Sequence, residues 1–145
     1  MPTIEDAIFL ALEAHRGVKQ KDGSPYILHP LALMARFHTE AEQMVAVLHD
    51  VIEDTHVTLA DLRDAGYPEN VLHALELVTR RSDETYDEFI ERIKPHPLAR
   101  RVKIADLEHN MDIRRLPEVT EKDCARMERY RRAWFTLQAA EQSDA

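Results

Sequence analysis

Glycine is scarce in this 145-residue chain, with three copies, and cysteine occurs once. So few glycines leave little material for tight hairpin turns, and no stretch alternates apolar and polar residues in the manner of a half-buried strand. The lone Cys124 cannot close an internal disulfide, which suits a reducing cytoplasm. No apolar run approaches the ~20 residues needed to span a bilayer. The N-terminus MPTIEDAIFL has no signal-peptide layout, so neither membrane nor secretion is expected. Positive charge is in deficit: 19 Lys and Arg against 27 Asp and Glu give a formal net charge of −8. That balance argues against an extended nucleic-acid footprint, although a few local cations or a metal still suffice for a small phosphorylated ligand. Residues 17–23, GVKQKDG, lack the spacing of a glycine-rich phosphate loop.

What remains is a chain of one-domain length, 44% hydrophobic and 32% charged. Its punctuation is helical. Thr3-Ile4-Glu5-Asp6 reads as a capped, acidic helix start, with Ile8, Leu12 and His15 following at helical spacing to about Arg16. Residues 17–30 form the main irregular stretch, and Pro30 suits the first turn of a helix that continues through LALMARFHTEA. A further helix is expected from Ala41 to about Glu53. A short one starts at Thr58 and is ended by Gly66 at its C′ position. Others run from Pro68 to about Arg80, Thr85 to Lys94, Ala99 to Arg115, and Thr120 to about Gln142. The expected fold is all-α, one compact helical domain over residues 1–145.

The stretch VLHDVIEDT, residues 47–55, sets His49, Asp50, Glu53 and Asp54 within an otherwise apolar helix. At 100° per residue the four polar side chains fall within an arc of about 140°. Such charges near a core are costly unless they are paired or bound to metal. Taken alone, they also fit a wet acidic stripe on an ordinary helix. Two distant segments weigh against that. PYILHP sets His29 at a loop-to-helix junction, and RVKIADLEHNM sets Asp106 and Asn110 four residues apart on one face, with Lys103 a turn earlier. Imidazoles with carboxylates make a mixed N/O donor set, suited to Mn²⁺, Fe²⁺ or Zn²⁺ rather than Ca²⁺ or Mg²⁺.

Tyr-x-x-His-Pro, His-Asp-x-x-Glu-Asp and Lys-x-Ala-Asp-x-x-x-Asn, in that order, resemble the HD-domain metal-dependent phosphohydrolases. More narrowly they are similar to the (p)ppGpp hydrolase domain of RelA/SpoT homologues and the small stand-alone alarmone hydrolases, over nearly the whole chain. The resemblance implies that His29, His49, Asp50 and Asp106 ligate one divalent ion, usually Mn²⁺. It implies that Glu53 and Asp54 position and deprotonate the attacking water, with Asn110 near the substrate. Lys21 lies where the family tends to be basic, and Arg126 and Tyr130 match a family Arg-x-x-x-Tyr that contacts substrate. Together with Tyr26 and Lys103 they are the expected substrate contacts. The expected activity is metal-dependent hydrolysis of the 3′-pyrophosphate of guanosine alarmones in the cytoplasm, with a phosphorylated nucleotide as partner. The alternatives are hydrolysis of another phosphorylated nucleotide or metabolite, or a nucleotide-binding module without turnover.

Two departures from the family pattern stand out. Leu107-Glu108 replaces an Arg-Leu pair, and Gln20 stands where an Arg is common, both near where the base would be read. His15 is expected as a packed or supporting histidine. His38, His56, His73, His96 and His109 are expected at the surface or at caps. The doublets Arg80-Arg81, Arg100-Arg101, Arg114-Arg115 and Arg131-Arg132 are expected on solvated faces.

Overall fold

The computed structural model describes residues 1–144, and among them regular structure is helical throughout. Nine α-helices follow in order: α1 (Ile4–His15), α2 (Leu28–Met34), α3 (Glu40–Leu48), α4 (Val51–Asp54), α5 (Leu59–Asp64), α6 (Glu69–Val78), α7 (Tyr86–Ile93), α8 (Pro97–Asn110) and α9 (Glu121–Ser143). A 3-10 turn, Ile113–Arg115, joins α8 to α9. Among the described residues no helix is long and apolar enough to cross a membrane.

The helix starts are written into the sequence by threonine. Thr3, Thr58, Thr85 and Thr120 each accept from the backbone N–H three residues on, where an Asp or Glu carboxylate accepts in return from the threonine N–H. Thr39 caps α3 by accepting from Glu42 N–H. Gly66, at φ +95°, ends α5 in the left-handed region that favours glycine.

α3 lies at the centre. Met44, Val45, Ala46, Val47 and Leu48 are all buried, so the C-terminal half of this helix is apolar all round, as a segment packed on every side must be. It packs against α1, α2, α6 and α8, and α9 covers α8 along its length. The residues that follow the C-terminus of α3 are therefore delivered into the middle of the molecule.

Four expectations change here. The helix beginning near Pro30 stops at Met34, and α3 starts afresh beyond Thr39 because threonine there caps more readily than it propagates. The helix expected from Ala41 to Glu53 is broken: His49 closes α3, and Asp50, at φ −105° and ψ −1°, opens α4. The backbone of Asp50 thus enters the sparsely populated bridge region. α8 ends at Asn110 rather than Arg115, where Asp112 instead accepts from Arg114 N–H and caps the 3-10 turn. Not all the arginine doublets are solvated. Arg100 is buried, donating to Glu141 (2.8 Å), to the Lys94 carbonyl (2.8 Å) and to Asp144, which ties α9 to the start of α8.

The turn between α6 and α7 is held by one ion pair. Arg92 donates to both carboxylate oxygens of Glu84 (3.1 and 2.6 Å) and to the Thr79 carbonyl (3.0 Å), while Glu84 also accepts from Arg81 N–H. The Arg92 hydrogen bonds, helped by the Arg81 N–H, pull the Glu84 carboxyl from 4.5 down to about 2. A lowered folded-state pKa stabilises fully above the unfolded value of 4.5 and is lost as pH falls through about 2. Glu84→Gln should therefore cost about 1–3 kcal/mol at pH 7. In urea unfolding, the gap from wild type should close as pH drops below about 4. A gap that stayed constant with pH would remove the ion pair from the explanation.

Candidate active site

The break between α3 and α4 lets adjacent side chains point inward together, which neighbours 100° apart on one helix could not do as well. His49 Nε2 lies 3.0 Å from Asp50 Oδ2 and 3.4 Å from Asp106 Oδ1. Asp106 projects from α8, and its Oδ1 lies 3.0 Å from His29 Nε2, which α2 delivers from its first turn. His29, His49 and Asp50 each offer a donor atom, all within 4.8 Å of one another, and Asp50, Glu53 and Asp54 do likewise. Residues as far apart in sequence as His29 and Asp106 thus meet at one point.

The imidazoles are oriented by what lies behind them. His49 Nδ1 is 2.7 Å from the Ala46 carbonyl. A carbonyl only accepts, so Nδ1 carries the hydrogen and Nε2 of the neutral ring presents a lone pair to two carboxylates. His49 Nε2 is buried and has no hydrogen-bond partner among the described residues. His29 Nδ1 is 2.6 Å from Nδ1 of His109, whose ring stacks on it. Burial, then the Arg115 charge, lowers the His109 pKa to about 4, so this ring is neutral and its Nδ1 can accept from His29. Both Nε2 atoms are then left facing Asp106.

Lone pairs aimed at carboxylates require a cation between them. Burial opposes charge on His49, yet Asp50 and Asp106 raise its pKa well above the imidazole range. Burial likewise opposes charge on Asp106, but Lys103 and His49 hold its carboxyl well below the usual range. Burial, with Asp50 and Glu53 nearby, pushes Asp54 up to about 6. A divalent ion would satisfy the field that otherwise calls for a proton on His49, and the N/O donor set fits one.

Two cavities flank this point. The first, about 250 Å³, is lined by His49, Asp50, Glu53, Asp54, Lys103 and Asp106, with Arg80, Tyr86 and Arg129 also among its lining residues. The second, about 270 Å³, is lined by Gln20, Lys21, Tyr26, Arg115, Arg126 and Met127 among others. Asn110 and Tyr130 belong to both. Glu53 accepts from Arg80 N–H at 2.9 Å, and Lys103 donates to Asp106 Oδ2 at 2.9 Å. Asn110 donates to Asp106 Oδ1 at 3.0 Å. Lys21 donates to Asp123 at 2.8 Å, and Arg126 lies 3.8 Å from the same carboxylate, so Asp123 steadies two cations at the rim of the second cavity.

All twelve residues singled out from sequence converge on these two cavities or on the donor cluster between them. Tyr26 differs in its contacts: its hydroxyl donates to Asp50 and so braces the cluster as well as lining the second cavity. His15 is buried against the Tyr26 ring, with centroids 4.8 Å apart. His109, expected at the surface or a cap, is half-buried in the last turn of α8 with its ring stacked on His29. Its three-residue spacing from Asp106 is the one local signal that could have singled it out. Arg80 is exposed as expected while Arg115 is half-buried, each also lining a cavity, and Arg129 was not singled out at all. Arg115 donates to the His109 carbonyl (2.9 Å), to Asn110 Oδ1 (3.1 Å) and to Gln20.

Helices that bring His29, His49-Asp50 and Asp106 to one point have the arrangement of an HD-type domain. The whole chain superposes on a solved structure described as a metazoan ortholog of SpoT that hydrolyzes ppGpp, with a TM-score of 0.72 and 20% identity, covering 98% of that chain. No family model matches the sequence. Among curated proteins, 74% of the chain is 35% identical to a GTP pyrophosphokinase of Streptomyces coelicolor, of which the match covers 14%. A further match, 35% identical over 70% of the chain, is the guanosine-3′,5′-bis(diphosphate) 3′-pyrophosphohydrolase of Haemophilus influenzae, covered to 17%. The bifunctional (p)ppGpp synthase/hydrolase SpoT of Escherichia coli is 30% identical over 74% of the chain and is covered to 17%. The chain thus spans less than a fifth of the length of these curated relatives. It belongs with the HD-type domains of the SpoT-related enzymes.

Proposed function

We propose that this chain is a metal-dependent phosphohydrolase that removes the 3′-pyrophosphate of guanosine alarmones as intact pyrophosphate. One observation carries the reading. Two buried imidazoles, each with Nδ1 committed behind it, turn Nε2 toward Asp106, beside Asp50 and at the mouth of a cavity walled by Glu53 and Asp54. His29, His49, Asp50 and Asp106 would hold one divalent ion, the donor set suiting Mn²⁺, Fe²⁺ or Zn²⁺ and the family resemblance implying Mn²⁺. When bound, such an ion supplies positive charge for a phosphoryl oxygen and acidifies water.

The chain's own residues do the rest. Glu53, fixed by the Arg80 N–H, and Asp54, with its pKa near 6, orient the attacking water and take its proton. The new bond joins water oxygen to phosphorus, the bond to the ribose 3′ oxygen breaks, and that oxygen leaves with a proton. Asn110 stands between the cavities, where the ribose would lie, and Tyr130 beside it borders both ends of the substrate. The nucleoside occupies the second cavity, with Lys21, Arg126 and Tyr26 at its walls, while Lys103 keeps Asp106 ionised. The free, exposed Cys124 suits a reducing, cytoplasmic setting.

Lys21→Ala should raise KM for an alarmone about tenfold and leave kcat within about threefold, since it removes binding common to ground and transition states. An unchanged KM would take Lys21 out of the nucleotide's reach. The function itself is tested by incubating purified protein and Mn²⁺ with a nucleotide panel that includes ppGpp, then identifying the products. Pyrophosphate from ppGpp supports the reading. Orthophosphate, or action on another nucleotide alone, supports a second reading in which the same site cuts a different phosphorylated nucleotide. The Gln20–Arg115 contact in the nucleoside cavity is what gives that second reading substance.

A further inference from the structure

Three side chains in the lining of the first cavity have no task in the mechanism above. Arg80 lies in the turn after α6, Tyr86 opens α7, and Arg129 comes from α9. Both guanidinium groups sit over the Tyr86 ring, 5.5 Å and 4.8 Å from its centroid. Arg129 Nε and Tyr86 Oη are buried with no hydrogen-bond partner among the described residues. Buried donors left without acceptors are rare in native folds and mark a place where an acceptor is to be supplied.

Charge says the same. Along α9, Arg126 lies near Asp123 and Arg131 near Glu128, but the guanidinium groups of Arg80 and Arg129 have no carboxylate within 4.0 Å among the described residues. Two cations held on one ring repel each other unless an anion lies between them. The framework around them is firm: the Arg80 backbone is tied to Glu53, and the Arg92–Glu84 pair fixes the turn that carries Arg80.

We propose that Arg80 and Arg129, with the Tyr86 hydroxyl, form a receptor for the terminal phosphate of a pyrophosphoryl group, and that this receptor makes the site select a diphosphate over a monophosphate. The proposal rests on the phosphohydrolase reading of the same cavity. A pyrophosphoryl group with one end at the donor cluster must place its second, dianionic end further into the cavity. The carboxylates of Glu53 and Asp54 repel that end, and Arg80 and Arg129 in the same lining offer guanidinium forks whose planar donors match phosphate oxygens. A monophosphate would not reach them.

The test is calorimetric titration of inorganic pyrophosphate and orthophosphate into the full chain, with and without Mn²⁺. Wild type should bind pyrophosphate the more tightly. Arg129→Gln, which keeps a good helix former in α9, should weaken pyrophosphate about tenfold and orthophosphate less than about threefold. Arg80→Gln should act in the same direction, and Arg129→Lys should restore part of the loss. The receptor is overturned if wild type shows no preference, if affinities for both anions fall together, or if neither falls. Should wild type fail to hydrolyse ppGpp while pyrophosphate affinity still depends on Arg129, the substrate reading fails and the receptor stands.

Discussion

Asp50→Ala should abolish divalent-metal binding and hydrolysis together. Asp50 lies within 3.0 Å of His49 Nε2, accepts from the Tyr26 hydroxyl and belongs to both donor groups around the site. Its removal takes away a ligand and half of the negative field that draws a cation to His49. Loss of a partner behind a ligand already costs 10- to 100-fold in affinity, so loss of the ligand itself should cost more than about 100-fold. Hydrolysis should fall by about 10³-fold or more, since the charge offered to the phosphoryl oxygen disappears with the ion. The fold should survive, because Asp50 caps α4 with its backbone and not with its side chain. Metal analysis of purified variant and wild type, beside a turnover assay, checks this. Turnover that persists in a variant without bound metal would disprove the ligand assignment.

Glu53→Gln should separate the two functions that Asp50→Ala removes together. Glutamine keeps the size of the side chain and still accepts from Arg80 N–H, but it cannot take a proton from water. Metal content should stay at the wild-type level while kcat drops by about 10²- to 10⁴-fold, the range ascribed to a general base. KM should change little, since the lost interaction belongs to the transition state. Loss of the ion in this variant would place Glu53 among the ligands. An unaffected kcat would leave Asp54 alone as the base.

The contrast between these variants follows from a feature the sequence conceals. Apolar residues from Met44 to Ile52 keep a helical period, so the stretch reads as one helix with a polar arc. The break at His49-Asp50 has no local signal, because neither residue is a helix breaker; what rewards it is convergence with His29 and Asp106. Helix starts were legible because threonine with an acidic residue three positions on satisfies orphan N–H groups locally. The donor residues were legible because an imidazole and carboxylates in an apolar setting are conspicuous wherever the chain folds.

Supporting contacts were not legible. His109 acts through His29, 80 positions away, and nothing in its own neighbourhood requires that. Arginine doublets on helix faces read as solvated, yet Arg100 anchors the end of α9, and Arg115 and the still exposed Arg80 border cavities from turns whose course depends on tertiary packing. Periodicity identifies which face of a helix is apolar. It carries no information about which distant carboxylate, ring or cavity an arginine will meet.

The most direct measurement is hydrolysis of ppGpp by chelator-stripped protein during titration with Mn²⁺, with product identity followed at each step. Stripped protein should be inactive, activity should return and saturate at one ion per chain, and the phosphorus product should be intact pyrophosphate throughout. Turnover by protein shown to be metal-free, or release of orthophosphate in place of pyrophosphate, would contradict the assignment of this site.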